Sequence, residues 1–146
     1  MLPAAVAIER SGVDVEPGDH ADVCFETMPQ WMRLFVPNRV TGLTLRRRIF
    51  LDPETYDEVV AGVRPDIVSH ELVHAGQWKA DGGRFPVKYL SEYLRFRLVG
   101  VMHDAAYRSI SYEMAAFRAG AESQRTMNSS TTPSATPATP NRVNPA

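Results

Sequence analysis

Cysteine is almost absent from this chain of 146 residues, in which Cys24 is the only one. A single cysteine excludes an internal disulfide, and it is too few for a structural zinc site built from thiolates. The chain also lacks a strong charge of either sign, because its formal net charge at pH 7 is −1. The composition therefore gives no reason to expect a nucleic-acid partner.

Long apolar runs are missing as well. No stretch approaches the roughly 20 residues that a membrane-spanning helix needs. The apolar segment at the N-terminus has no basic region and ends at Glu9 and Arg10, which makes it too short for the core of a signal peptide. We therefore expect a cytoplasmic monomer with no membrane partner.

What is present fits one ordinary globular domain, with 44% hydrophobic and 23% charged residues. Residues 1–20 are rich in Gly, Pro and Asp and show little periodicity, which predicts a loosely ordered lead-in. Residues 21–126 are expected to form the folded domain. Residues 127–146 consist mainly of Ser, Thr, Pro, Ala and Asn, and this composition predicts a disordered tail.

The apolar pattern within the domain predicts an α+β fold. Residues 43–51 alternate in a way typical of one or two strands, and a short helix is expected at 54–62. Two longer helical patterns follow at 86–99 and near 110–123. Residues 101–109 are interpreted as a bridge between them.

The motif that organises the chain is H-E-x-x-H at residues 70–74. On a helix, His70 and His74 are one turn apart, so both imidazoles leave the same face and can bind one metal ion. Glu71 is tilted off that face, where it can contact a water without being a ligand. Pro65 and Asp66 suit the first turn of such a helix. The apolar residues around the motif predict a central, buried helix.

A catalytic zinc site needs a third protein ligand. The compact three-histidine pattern is excluded, because Gln77 and Ala80 occupy the positions three and six after His74. Glu113 is favoured, since it lies beside the apolar stripe of a later helix, where an unpaired carboxylate would be costly to bury. The chain also offers four other candidates: His103, Asp104, Asp81 and Glu92. Tyr89 and Tyr93 are interpreted as core residues with the hydroxyl at the rim.

Three segments carry a resemblance to a known family. They are S-H-E-L-V-H-A-G-Q-W at 69–78, Y-L-x-E-Y-L in the helix that follows, and A-Y-R-S-I-S-Y-E-M-A-A-F at 106–117. Over about residues 36–120 the chain resembles the small bacterial gluzincin-like, or minigluzincin-type, domains. The pattern of that family is H-E-L-x-H-x-x-Q with a later Y-R-x-x-x-x-E-x-E-A segment. Where the pattern has its second glutamate, this chain has Ala115.

The resemblance implies a minimal zincin-like domain, in which a short strand pair or small sheet packs on the central helix and two further helices. It implies one Zn²⁺ per chain, with His70, His74 and Glu113 as metal ligands and Glu71 as general base. His103 remains the fallback ligand.

The expected function is that of a zinc-dependent metallopeptidase-like hydrolase that cleaves peptide or protein substrates with a zinc-activated water. Three residues are candidates for stabilising the oxyanion: His103, Tyr107 and Arg108. The alternative is a catalytically weak or inactive zinc-bound interaction domain. The small size and Ala115 favour this alternative, and only turnover separates the two.

Overall fold

Four short strands form one sheet, and seven α-helices accompany it in the part of the chain that the computed structural model describes, residues 1–36 and 40–131. The elements are β1 Leu2–Pro3, α1 Ala4–Ser11, β2 Cys24–Thr27, α2 Gln30–Arg33, β3 Gly42–Leu45, β4 Arg48–Leu51, α3 Pro53–Val60, α4 Pro65–Asp81, α5 Arg84–Leu98, α6 His103–Arg108 and α7 Ser111–Thr131. The α+β fold class is confirmed. The strands predicted at 43–51 form a hairpin of β3 and β4, and the helix predicted at 86–99 is α5.

The sheet is mixed, with the strand order β1-β2-β4-β3. The central strands β2 and β4 are parallel, and each outer strand pairs antiparallel to its neighbour. β3 is therefore an edge strand of the sheet, and its contact with the motif helix α4 is more extensive than that of β4. Within β3, Gly42 and Thr44 are paired with Leu51 and Ile49 of β4.

The main core lies between the sheet and the helices α1, α3 and α4. Phe25, Ile49 and Leu51 enter it from the sheet, and all three are fully buried. Val68 and Leu72 enter it from α4. Because alternate residues of a strand point to opposite faces, Phe50 belongs to a smaller cluster on the other face. That cluster also contains Met28 and Met32, with Val36 and Leu43 packed against it.

The expectation of a loosely ordered lead-in at residues 1–20 is wrong for its first half. β1 joins the sheet, and α1 buries Ala4, Ala7 and Ile8 in the main core. These residues have the three- and four-residue spacing of one helix face. Two of the three are alanines, which give a weak hydrophobic signal but allow close packing. Gly12 ends α1 in the left-handed conformation, with φ 63°.

The other end of the domain also extends beyond its expected limit. α7 continues to Thr131, so residues 127–131 are helical and the predicted tail does not begin at residue 127. Residues 132–146 lie outside the described residues, and their disorder stays a prediction. The bridge expected at 101–109 contains the short helix α6. None of the helices among the described residues is both long and apolar enough to cross a membrane.

Candidate metal centre

The motif helix α4 begins at Pro65, whose fixed φ suits the first helical position. Arg64 holds this start in place through two hydrogen bonds to Asp66, from Nε to Oδ1 at 3.0 Å and from Nη2 to Oδ2 at 3.1 Å. Its Nη1 donates to Glu58 at 2.7 Å, which ties α4 to α3. The helix ends at Asp81, and Gly82 follows as its C-cap residue. The orientation of α4 is therefore fixed at its N-terminal end by ion pairs.

His70, His74 and Glu113 form one cluster, with one ligand atom from each lying within 4.8 Å of the others. The Nε2 atoms of the two histidines are 3.2 Å apart. The Glu113 carboxylate reaches them from α7, with Oε2 3.5 Å from His70 Nε2 and Oε1 3.4 Å from His74 Nε2. The sequence could place the histidines together, but the arrival of Glu113 depends on the packing of α7 on α4.

Close contact between α4 and α7 is what brings Glu113 to the histidines. A Cβ at Gly120 would lie 2.7 Å from the carbonyl oxygen of Asp66, so glycine is needed where the two helices meet. One turn further along, the hydroxyl groups of Ser69 and Ser123 are hydrogen-bonded to each other. Small residues at these positions allow the backbones of α4 and α7 to pack closely. This packing places the Glu113 side chain next to His70 and His74.

His74 and Glu113 are buried and His70 is partly buried, and burial acts on the pKa of all three. The pKa of His70 is lowered to about 4, first by burial and then by the charge of His74. Burial also acts to lower the pKa of His74, but its hydrogen bond to Glu113 and the charge of that carboxylate outweigh burial and raise it. Burial acts to raise the pKa of Glu113, but interactions with His74 and Tyr89 lower it. These shifts favour the neutral form of His70 and the ionised form of Glu113.

Glu113 also has an oxygen that the protein leaves unpaired. Its Oε2 is buried and has no hydrogen-bond partner among the described residues. A buried polar atom without a partner costs about 1–3 kcal/mol or more. A cation between this oxygen and the two imidazoles would remove that cost. Two histidine nitrogens and one carboxylate oxygen are also a donor set found in catalytic metal sites. The residues present therefore fit a bound divalent metal.

Two polar side chains orient the cluster from outside. Oε1 of Gln77 lies 2.8 Å from Nδ1 of His74, and Nε2 of Gln77 donates to the backbone oxygen of Tyr112 at 3.1 Å. An acceptor beside Nδ1 keeps the proton there and leaves Nε2 of His74 for a metal. The hydroxyl of Tyr89 donates to Oε1 of Glu113 at 2.6 Å. Gln77 and Tyr89 therefore fix the ligand atoms that the cluster presents.

Glu71 lies beside the cluster but is not a member of it. Its carboxylate is directed toward the edge strand, where the hydroxyl of Thr44 donates to Oε2 at 2.6 Å. Trp78 supports the same contact, because its Nε1 donates to the carbonyl oxygen of Thr44 at 2.9 Å. Burial raises the pKa of Glu71. Glu71 is thus a second buried carboxylate, held by β3 rather than by the histidines.

The other candidates for a third ligand have partners elsewhere. Nδ1 of His103 lies 2.8 Å from the hydroxyl of Tyr93. His103 is exposed and does not belong to the cluster found among the described residues. The fallback assignment of His103 therefore has no support in the geometry. Asp104, next to it on α6, is exposed too.

The two remaining acids are engaged at the ends of helices. Asp81 accepts hydrogen bonds from Lys88 and from the hydroxyl of Tyr112, each at 2.6 Å. Glu92 accepts from both the backbone N–H and the hydroxyl of Ser111, each at 2.7 Å, and so caps the first residue of α7. Both acids help to hold α5, α4 and α7 together, which is a structural role.

The three candidates for stabilising an oxyanion differ in their position. Tyr107 is half-buried, and its pKa is raised first by burial and then by the charge of Glu113. Its hydroxyl therefore stays protonated and lies near the cluster. Arg108 and His103 are exposed. Phe117 lies beside both Tyr107 and the cluster. Its ring centroid is 4.9 Å from that of His70, in an edge-on arrangement, and 6.2 Å from that of Tyr107.

Four residues that position the site are not predicted from the sequence to do so. Gln77 matches the last position of the family pattern H-E-L-x-H-x-x-Q but is given no role there, although its spacing of three from His74 is a local signal for a contact on one helix face. Tyr89 was interpreted as a core residue with its hydroxyl at the rim. Gly42 and Thr44 carry no local signal, because their contact with Glu71 exists only after β3 packs on α4.

Comparisons with protein-family models, with functionally characterised proteins and with solved structures find no match to this chain. Any functional assignment therefore rests on the chemistry and geometry of the cluster itself.

Proposed function

We propose that this chain is a zinc-dependent metallopeptidase-like hydrolase of the small gluzincin type. In this proposal, His70, His74 and Glu113 bind one zinc ion and Glu71 is the general base. The observation that carries it is the buried Glu113 carboxylate, which meets two histidines of α4 and has one oxygen without a hydrogen-bond partner in the described part of the chain. Two imidazole nitrogens and one carboxylate are the protein ligands of a class of catalytic zinc sites that keep a fourth position open.

Zinc bound there would supply Lewis-acid chemistry, polarising a carbonyl oxygen and lowering the pKa of a water molecule to about 7. The chain itself supplies the proton transfer. Glu71 adjoins His70 in the sequence, yet its carboxylate remains outside the cluster. It can therefore accept the proton of the attacking water and deliver it to the leaving amine. Thr44 holds the carboxylate in one orientation while it does so.

Two further features support a peptide substrate. β3 has β4 as its strand neighbour among the described residues, and its residues Gly42 and Thr44 lie against Glu71. An extended peptide can pair with such an edge through main-chain hydrogen bonds, which would bring a peptide bond past the general base. Tyr107 is the best placed of the three oxyanion candidates, because its protonated hydroxyl lies on the Glu113 side of the cluster.

The metal assignment is tested by elemental analysis of the purified chain. We expect about one equivalent of zinc per chain. Glu113→Gln should weaken zinc binding more than about 100-fold, since even partners outside the ligand set are commonly worth 10–100-fold. His103→Gln is the matched control and should bind zinc as wild type does. Normal zinc binding by Glu113→Gln would contradict the assignment.

The enzymatic assignment is tested with a broad peptide library. Glu71→Gln should bind zinc normally and lose about 10²–10⁴ in rate, because the amide is nearly isosteric but does not accept a proton at neutral pH. A zinc-loaded wild type that cleaves no peptide from about pH 6 to 8 would favour the zinc-bound interaction domain instead. Cleavage by Glu71→Gln at the wild-type rate would contradict the role of Glu71.

A further inference from the structure

Helix α5 carries three different faces. Its inner face packs on the domain through aromatic residues and one acid: Phe85, Tyr89, Glu92, Tyr93 and Phe96. Phe85 is the only residue of the helix that is fully buried. Most of the surface of α5 is therefore exposed to solvent.

The outer face of α5 is apolar. It consists of Val87, Leu90, Leu94 and Leu98, which follow the three- and four-residue spacing of one helical stripe. All four are exposed, from 47% at Leu94 to 86% at Leu98. Two further exposed apolar residues, Val99 and Met102, follow the C-terminal end of the helix, and both are more than 70% exposed. An exposed apolar helix face of this kind is typical of a docking site.

Basic residues border this outer face. Arg84, Lys88 and Arg95 share one flank at helical spacing, and Arg97 lies on the other flank. All four are exposed, although Lys88 also pairs with Asp81. The one acid of the helix, Glu92, belongs to the inner face and caps α7. The exposed ionisable residues of α5 are thus all cations, on a chain whose net charge is −1.

We propose that α5 docks the protein onto an anionic lipid bilayer, with its outer face against the acyl chains and its basic flanks at the headgroups. A bilayer surface can bind both parts of this helix surface. Its apolar interior can accept the outer face, and its negative headgroups can pair with the basic flanks. Helices with an apolar face and basic borders bind this interface lying flat. This proposal departs from the sequence-based expectation of no membrane partner, which rested on the absence of long apolar segments.

Charge favours a bilayer over a second copy of the chain. Two copies meeting through the outer face would bring the cationic flanks of both α5 helices close together, with Glu92 turned away into each domain. Like charges opposed in this way work against association. Each Lys or Arg at an anionic surface instead adds about 1 kcal/mol to binding, or about fivefold in affinity.

The experiment is vesicle sedimentation with the full chain. Vesicles of equal parts phosphatidylglycerol and phosphatidylcholine are compared with vesicles of phosphatidylcholine alone. We expect binding to the anionic vesicles, weaker binding to the neutral ones, and a loss of binding as salt is added. Leu90→Gln/Leu94→Gln should weaken binding by about tenfold for each leucine. Arg84→Gln/Arg95→Gln should weaken it by about fivefold for each cation.

Each double variant has a matched control elsewhere on the surface. Leu34→Gln/Phe35→Gln removes two apolar residues that are more than 80% exposed, and Arg118→Gln/Arg125→Gln removes two exposed cations of α7. Both controls should bind as wild type does. Circular dichroism checks that the variants remain folded, and single Leu94→Gln replaces the double variant if that one does not fold. Neither vesicle binding nor circular dichroism requires a bound metal, so this test is independent of the proposed enzyme function.

Three results would overturn the proposal. The first is the absence of binding to anionic vesicles, or equal binding to neutral ones. The second is a control variant that weakens binding as much as the α5 variants do. The third is a dimer in sedimentation equilibrium that Leu90→Gln/Leu94→Gln converts to a monomer, since the outer face of α5 would then be an interface between copies.

Discussion

Gly42 of β3 lies directly against the carboxylate of Glu71 in α4. A Cβ at residue 42 would overlap Oε1 of Glu71 and would lie 3.1 Å from Cδ2 of Leu51. Protein interiors are packed too densely to absorb such an overlap without movement. The absence of a side chain at Gly42 is therefore what allows the Glu71 carboxylate to lie beside the edge strand and accept the hydrogen bond from Thr44.

Gly42→Ala should displace the Glu71 carboxylate while leaving the histidine cluster in place. We expect zinc content near the wild-type value, a large loss of any peptidase activity, and a decrease of about 1–3 kcal/mol in the free energy of unfolding from overpacking. Gly76→Ala on α4 is the control, because a Cβ there meets no atom within 4 Å. A Gly42→Ala protein with wild-type stability and rate would contradict this view of the contact.

Thr44→Val should destabilise the domain more than Thr44→Ser. Valine has the shape of threonine but no hydroxyl, so the buried Glu71 oxygen would lose its 2.6 Å hydrogen bond. An unsatisfied buried acceptor costs about 1–3 kcal/mol, whereas serine can keep the bond. Denaturant unfolding of the two variants measures the difference. Equal stabilities would mean that the hydroxyl of Thr44 contributes nothing to holding Glu71.

Tyr89→Phe should weaken zinc binding about 10–100-fold, the range for groups that orient a metal ligand. The change removes the hydroxyl that donates to Glu113 at 2.6 Å and leaves the aromatic packing intact. Tyr93→Phe is the matched control one turn along α5, because its hydroxyl contacts His103 and not the cluster. Competition with a metal chelator measures both affinities. If both variants lost the same zinc affinity, the loss would come from a change in α5 and not from the hydrogen bond between Tyr89 and Glu113.

Asp52, which lies outside the candidate metal centre, should make the stability of the fold depend on pH. It caps α3, accepting hydrogen bonds from the backbone N–H of Thr55 at 3.1 Å and from its hydroxyl at 2.6 Å. Burial acts to raise the pKa of Asp52, but the hydrogen bonds from Thr55 outweigh it and lower the pKa below its usual value. The ionised form is therefore favoured in the folded protein.

A lowered pKa in the folded state gives a stabilisation that is present above the unfolded-state pKa of about 3.9 and is lost as the pH falls through the folded-state value. Asp52→Asn should therefore cost about 0.3–1 kcal/mol at pH 7, and this cost should shrink as the pH is lowered below about 4. Asp57→Asn, an exposed position on the same helix, controls for the loss of one charge. Urea unfolding across this pH range measures the difference. A cost that is independent of pH would contradict the prediction.

The sequence by itself determined the local part of the site. The spacing of His70 and His74 requires both imidazoles to share one helix face, and the structure places their Nε2 atoms 3.2 Å apart. Pro65, which the sequence analysis assigns to the first turn of the motif helix, begins α4 in the structure. These features follow from neighbours within one helix, whose geometry does not depend on the rest of the chain.

The core at the N-terminus shows where a sequence pattern gives too little signal. Ala4 and Ala7 are fully buried, but alanine is common on helix surfaces and contributes little to an apolar stripe. The strand pairing of Leu2 with Phe25 is likewise invisible in the sequence of either segment. Both features depend on what packs against these residues.

The tertiary structure decided which side chain joins the two histidines. The sequence favoured Glu113 but left His103 and three acids as candidates, because it does not fix how the later helices pack. In the structure Gly120 lets α7 approach α4, and this approach carries Glu113 to the two imidazoles while His103 contacts Tyr93. The same holds for Thr44, which is 27 positions from Glu71 and meets it only because β3 packs against α4. Contacts between distant segments depend on helix and sheet packing, and a motif within one helix carries no information about that packing.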